Sequence, residues 1–433
     1  MYDGLKSSLE SGVRVRPDGF RKSADVMSRM SELSMLKLLR LVCLLLLCEA
    51  GYCLPPMQLF VELTPTGGVL QPPPGVYSGP VVIERRITLE GGGGVTIDGG
   101  GNGTVVQVKA DGSIIRGVKI TNSGESHDRL DAGLLLEAND VLIENCVFEN
   151  VLFGINLRRA DDNRIQGNRI NSKGDAISLR GEGLRLWYSS GNLVENNEIA
   201  NVRDILLMNA PDNRIRDNRI HGNRMGMELV FSPGNEIVGN HFSWNTTGLV
   251  GIYSDDLLIR ANRFTHMRKL SGAALAIKES SQVTIRENEI LHCAIGLMVN
   301  APVHPENILY LENNHIAYND VAMYFYGEKG GHVIHGNRFE KNLSTVAVSA
   351  ATSALANDWK GNHWDEYKGF DRDADGVGDM PHNVYLYSDR IWQDRPMTRF
   401  FRSSPVLELI DFIERLTPFS VPDLILGDPA PLM

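Results

Sequence analysis

Asn163-Arg-Ile-Gln-Gly-Asn168-Arg-Ile170, Asn192-Leu-Val-Glu-Asn-Asn197-Glu-Ile199, Asn213-Arg-Ile-Arg-Asp-Asn218-Arg-Ile220 and Asn235-Glu-Ile-Val-Gly-Asn240-His-Phe242 are one phrase written four times. Its second Asn recurs at Asn262, Asn288, Asn314, Asn337 and Asn362, and backwards at Asn145, with gaps of 23, 29, 21, 22, 22, 26, 26, 23 and 25 residues. A fixed period of this size marks a solenoid. Within each phrase the Asn and the following aliphatic or aromatic residue are two apart, so they share one face of a strand. Most units add a second extended piece opened by glycine, as in Gly226-Met-Glu-Leu, Gly248-Leu-Val-Gly and Gly296-Leu-Met-Val. Short strands joined by tight corners predict an all-β, right-handed parallel β-helix, each coil ~4.8 Å above the last. The repeated Asn then form an amide ladder at a corner, a structural duty.

The chain has 433 residues and a formal charge of −10. It carries no basic stripe that could release counterions from phosphates, which argues against nucleic acid as a partner. Residues 1–50 differ in character: Lys37 and Arg40 precede the apolar run Leu41-Val-Cys-Leu-Leu-Leu-Leu-Cys48, too short to span a bilayer, and a cut after Ala50 fits an export signal. The expected organisation is a signal over 1–50, a β-helix over 54–365, an acidic loop and connector over 366–402, and a helix with an extended tail over 403–433. Cys146 and Cys293 fall far apart along the solenoid, beyond disulfide reach.

Four places carry candidate chemistry. His266 and His292 each fall four residues after a repeat Asn in adjacent coils, with Met267 and Cys293 one further on, Trp244 one coil earlier and His221 near the same column. Imidazole with thioether or thiol is a ligand set that suits Cu(I). Asp371, Asp373, Asp375 and Asp379, with Gly376 at the sixth place, alternate as in a calcium loop. Asp175 and Asp204 each follow their Asn by seven residues and are expected as vertical neighbours, the carboxylate pair of a glycoside-active enzyme; Arg203 and Arg224 beside them favour a charge ladder. The long gap between Asn168 and Asn197 contains Arg185-Leu-Trp-Tyr-Ser189, expected as a loop that offers Trp187 and Tyr188 to a partner or a glycan.

At the C-terminal end, Ser404-Pro405 opens a predicted helix with Val406, Leu409, Ile410, Ile413 and Leu416 on one apolar stripe, a cap for the solenoid or a grip for a partner. A proline-punctuated tail ends in Asp428-Pro-Ala-Pro-Leu-Met433. The chain lacks a Walker phosphate loop, so it carries no ATPase of that kind.

Several of these stretches resemble the NosD proteins: Gly174-Asp-Ala-Ile-Ser-Leu179, Arg185-Leu-Trp-Tyr-Ser189, Lys278-Glu-Ser280, Ile316-Ala-Tyr-Asn-Asp320, Gly361-Asn-His-Trp364, Gly369-Phe-Asp-Arg-Asp-Ala-Asp-Gly-Val-Gly-Asp379 and the closing hexapeptide. The resemblance runs from about Gly75 to Met433. It implies a periplasmic, non-catalytic β-helix of the carbohydrate-binding and sugar-hydrolase repeat class. Such a protein would work beside the ATPase and membrane subunits of an ABC transporter, receive Cu(I) from a lipoprotein chaperone and pass it towards nitrous oxide reductase. Where the family pattern leads one to expect Met-Tyr-Ser phrases, this chain has Val230-Phe-Ser232 and Ile252-Tyr-Ser254, which shifts the expected copper route to Met208, Met225, Met227 or the His266/His292 pair.

Overall fold

The computed structural model describes residues 54–174, 176–300, 308–326, 330–349, 354–386, 409, 413 and 423–433. A typical central coil contributes two three-residue strands to a 24-stranded parallel sheet and one longer strand to a 12-stranded parallel sheet. The result is a parallel β-solenoid of about 12 turns, as the repeat predicts. One coil reads Arg214–Arg216, Arg219–His221 and Met225–Val230; the next reads Glu236–Val238, His241–Ser243 and Thr247–Ile252.

Alternation sends every second side chain inward, where equivalents stack: Ile215 on Ile237 on Ile259, and Ile220 on Phe242 on Phe264 on Ile290. The Phe242 and Phe264 rings lie parallel at 4.7 Å. These side chains are fully buried, and each contributes roughly 1.5–3 kcal/mol of hydrophobic stabilisation.

The asparagine ladder exists, displaced by one residue at its lower end. The Cys146 N–H donates to Asn168 Oδ1 at 2.9 Å, so Cys146 and not Asn145 is the bottom rung. Asn145 is instead the adjacent corner residue, at φ 51°. From Asn168 upward each corner N–H donates to the amide oxygen of the coil above, as Asn262 does to Asn288 at 2.8 Å, while its own Nδ2 reaches a carbonyl of the coil below, as Asn262 does to Ile237 at 2.8 Å. Each ladder amide thus has a partner on the coils either side, which is what a dry interior demands.

Both ends are closed. The helix Met57–Leu63 lays Met57 and Val61 on the first coils, and Gln58 Oε1 accepts the Val82 N–H at 2.8 Å. At the far end the tail strand Asp423–Asp428 pairs antiparallel with His382–Leu386. Buried Asp428 accepts the Asn362 N–H at 3.1 Å, Asn362 Nδ2 at 3.0 Å and Trp364 Nε1 at 3.1 Å, supplying the ladder's last rung. The tail is therefore a cap. Leu409 and Ile413 are helical and exposed, whereas Val406, Ile410 and Leu416 lie outside the described residues, as do the expected export signal over 1–50 and Asp175.

Candidate metal centre

The corner that follows the ladder places its residue in the left-handed region: Trp244 at φ 57°, His266 at 65°, His292 at 56°, Tyr318 at 58° and Lys341 at 50°. All five sit four residues after a ladder Asn. That conformation is uncommon for side chains of this size; it recurs here because the ladder amide of every coil fixes the same corner, and it turns the side chain out of the solenoid. The rings stack into one column. Centroids are 4.4 Å apart from Trp244 to His266, 5.3 Å from His266 to His292 and 5.1 Å from His292 to Tyr318. One coil below Trp244 the position is Gly222, at φ 71°, so the lower face of that ring has no side chain under it; Trp244 is 65% exposed.

The next residue of each corner points inward. Asn223 and Asn245 bond there, as do Asn319 and Asn342, but Met267 and Cys293 interrupt this second ladder with a sulfur–sulfur contact of 3.9 Å. Both are 0% exposed, and burial pushes the Cys293 thiol up to about 11. The expectation that Met267 joins the histidines as a surface ligand is therefore wrong: the corner that turns His266 out turns Met267 in. His221 is also out of the column. It pairs in register with Ser243, one residue before Trp244, and reaches Glu198 at 3.3 Å.

The two imidazoles remain as the nitrogen donors. His266 Nδ1 is shielded and has no hydrogen-bond partner among the described residues. Burial foremost, and then His292, Arg268 and Arg263, hold its pKa below the ordinary value, so the ring stays neutral, the form that binds a metal. Two imidazoles on adjacent rungs offer the kind of nitrogen donor that copper takes. Beside them opens a groove of about 430 Å³ lined by His266, Arg268, His292, Tyr318, Asp320 and Lys341, among others. Sequence reasoning passed over Arg268, Tyr318 and Lys341, although the constant offset of four from Asn314 and Asn337 was there to mark the last two.

The other candidates separate. Asp371, Asp373 and Asp375 bring carboxylate oxygens within 4.8 Å of one another, while Asp379 is outside that group and accepts the Arg372 N–H at 2.9 Å. Asp371 accepts the N–H groups of Asp375 and Gly376, which draw its pKa down; repulsion from Asp375 holds that of Asp373 up. The loop is tied to the tail by Gly378 N–H to Pro431 O at 2.7 Å and Met433 N–H to Gly376 O at 3.1 Å.

Arg185 to Ser189 is not a looped insertion. Leu184–Trp187 is a regular strand between Phe153–Arg158 and Asp204–Met208, and the surplus of that coil falls earlier, in residues 173–183. Inward Leu184 and Leu186 lock the register. Trp187 is half-buried with the Arg185 guanidinium 4.5 Å over its ring, and Tyr188 is a half-exposed corner residue. Asp204 is 2% exposed and tied to Arg203, Arg224 and the Met225 N–H. The Gly183 N–H donates to its carbonyl at 2.9 Å, so Gly183, eight residues beyond Asp175, holds the place beneath it. The register neighbour of Asp204 in the coil below is Gly183, and Asp175 lies outside the described residues.

Coils closed at both ends and a stacked imidazole–aromatic corner define a parallel β-solenoid with an outward-facing histidine column. The model of the family described as periplasmic copper-binding protein (NosD) matches residues 170–369, and a family described as a protein of unknown function (DUF1565) matches 75–252. These matches and the relatives below support assignment to the NosD family. It is 26% identical to the probable ABC transporter binding protein NosD of Pseudomonas aeruginosa over 79% of this chain and 83% of that one. To the probable ABC transporter binding protein NosD of Stutzerimonas stutzeri it is 25% identical over 87% and 89%. Among solved structures, the A-module of the mannuronan C-5 epimerase AlgE6 of Azotobacter vinelandii superposes with a TM-score of 0.55 at 15% identity, over 67% of this chain and 90% of that one, a likeness of fold. Among the described residues no helix is long and apolar enough to cross a membrane.

Proposed function

We propose that this chain is a periplasmic scaffold that holds Cu(I) transiently and passes it on, without catalysis of its own. The observation that carries the reading is the stacked His266/His292 pair, turned outward and seated on a ladder that fixes both corners. Copper is the cargo: the two imidazoles bind it, Trp244 and Tyr318 hold the rings parallel, and the buried Met267/Cys293 pair keeps the corner rigid without touching it. Two ligands release an ion more readily than a closed four-ligand cage, which suits a carrier. The names of the relatives support work beside an ABC transporter, its ATPase and membrane subunits being other chains. A lipoprotein chaperone supplies the copper and nitrous oxide reductase receives it, the protein meeting the membrane through the transporter.

An anaerobic Cu(I) competition titration tests this. The mature protein is expected to lose at least tenfold in affinity on His266→Ala with His292→Ala, while Met267→Leu binds as the parent does. Equal affinity in the double variant would falsify the site.

The second reading is a polysaccharide-active enzyme, for which the solenoid and the buried Asp204 cluster speak. Turnover of a uronic-acid polymer that stops on Asp204→Asn would establish it.

A further inference from the structure

The groove beside the histidines has the wrong charge for a bare cation. Arg268 reaches up two coils, its Nη1 donating to Asp320 Oδ1 at 3.0 Å and to the Cys293 carbonyl at 3.3 Å. Lys341 comes from above and brings its Nζ 5.7 Å from the centre of the Tyr318 ring. Two cations thus converge on the coil of Tyr318, Asn319 and Asp320, and the single carboxylate there is already engaged by Arg268. Counting Arg268 and Lys341 against Asp320, the lining keeps one positive charge in excess, on a chain whose formal charge is −10. A concave surface focuses such a field.

We propose that this groove binds a carboxylate on Arg268, Lys341 and the Tyr318 hydroxyl, and that the bound carboxylate neutralises the groove for a copper ion at His266 and His292. Guanidinium and ammonium groups flanking a phenol hydroxyl match a carboxylate: charge-assisted donors on two sides and a neutral donor on the third. The groove's volume admits a small polycarboxylate or one or two acidic side chains of a protein segment. The coupling rests on the copper reading above; the anion site does not. By linkage the two occupancies favour each other equally.

Metal-free mature protein at low ionic strength is titrated with citrate and, separately, with a hexaglutamate peptide, following the imidazole resonances of His266 and His292. Binding by either, weakened at least tenfold in Arg268→Gln with Lys341→Gln and unchanged in Arg164→Gln on the sheet face, supports the site. A hexaglutamate affinity far above that of citrate identifies a protein segment as the source; the reverse identifies a free anion. Binding by neither probe, or binding indifferent to the double variant, overturns it. For the coupling, the anion-free double variant is expected to hold Cu(I) about tenfold more tightly than the parent, two repelling charges having gone; unchanged affinity overturns the coupling. Anion binding that persists in a protein whose histidines hold no copper supports the anion site and defeats only the copper reading.

Discussion

Asn262 and His266 are four residues apart in one corner, and the backbone sends their side chains opposite ways: the amide inward to a partner on each neighbouring coil, the imidazole outward to a stack. Asn262→Ala strips the Asn240 N–H of its acceptor in a dry interior, and a loss of about 1–3 kcal/mol in chemical denaturation is expected. The histidines make stability depend on pH. His266, His241 and His382 all have pKa values lowered from 6.5, burial being the first cause in each. The unfolded chain therefore takes up these protons first as pH falls, so stability is whole above about 6.5 and drains away below it. His266 faces His292, Arg268 and Arg263, His241 faces Arg263, Arg219 and His221, and only His382 has an opposing charge, Asp428. Urea midpoints between pH 8 and pH 5 should fall, and should fall less for His266→Phe; identical slopes would remove His266 from the account. The spacing of four from each Asn made the column legible in sequence. The inward turn of Met267 was not, because adjacent letters in a corner do not say which one takes the left-handed conformation.

The strand that ends in Asp428 shows what an element can do across distance. It lies 66 residues beyond the Asn whose ladder it completes, and no local pattern announces that a carboxylate will replace an amide there. Sequence reasoning offered the tail as an extended piece that caps or grips; the hydrogen bonds make it a cap. Asp428→Ala should raise amide exchange in Asp358–Lys360 and His363–Trp364 while leaving central coils such as Glu236–Val238 protected, since a solenoid couples only neighbours. Equal protection throughout would mean that the tail holds nothing. The acidic loop is tied to the same tail. Its three clustered carboxylates repel one another, so calcium, if bound, raises the melting temperature, and Asp373→Asn, which relieves that repulsion, should abolish the calcium response without lowering stability in chelator. The displaced Trp187 carries the companion lesson: a surplus of residues in a long gap was legible, but its place within the coil depended on Leu184 and Leu186 finding the core.

At the scale of the molecule, the period fixed nearly everything about shape, because a repeat that pairs only with its neighbours leaves one architecture open. What it could not fix was chemistry. A fold of this kind serves both a family described as periplasmic copper-binding and an epimerase module, so the fold alone does not set the function. Coils without a column should be interchangeable in this respect: replacing Trp244 and Tyr318 with Ser is expected to leave the circular dichroism spectrum intact and weaken Cu(I) binding severalfold by letting the imidazoles swing, and unaltered affinity would show that the rings need no such support.

The closure at Asp428 also bears on solubility. Parallel rungs end in rows of unanswered N–H and C=O groups, an open template for another copy of the chain. Here the tail answers them, with Leu432 N–H on the Asn362 carbonyl at 2.9 Å and the Gly361 N–H on Ala430 O at 3.0 Å. A chain lacking residues 423–433 would present its last rung bare, and end-to-end growth into filaments is the fate such an edge invites.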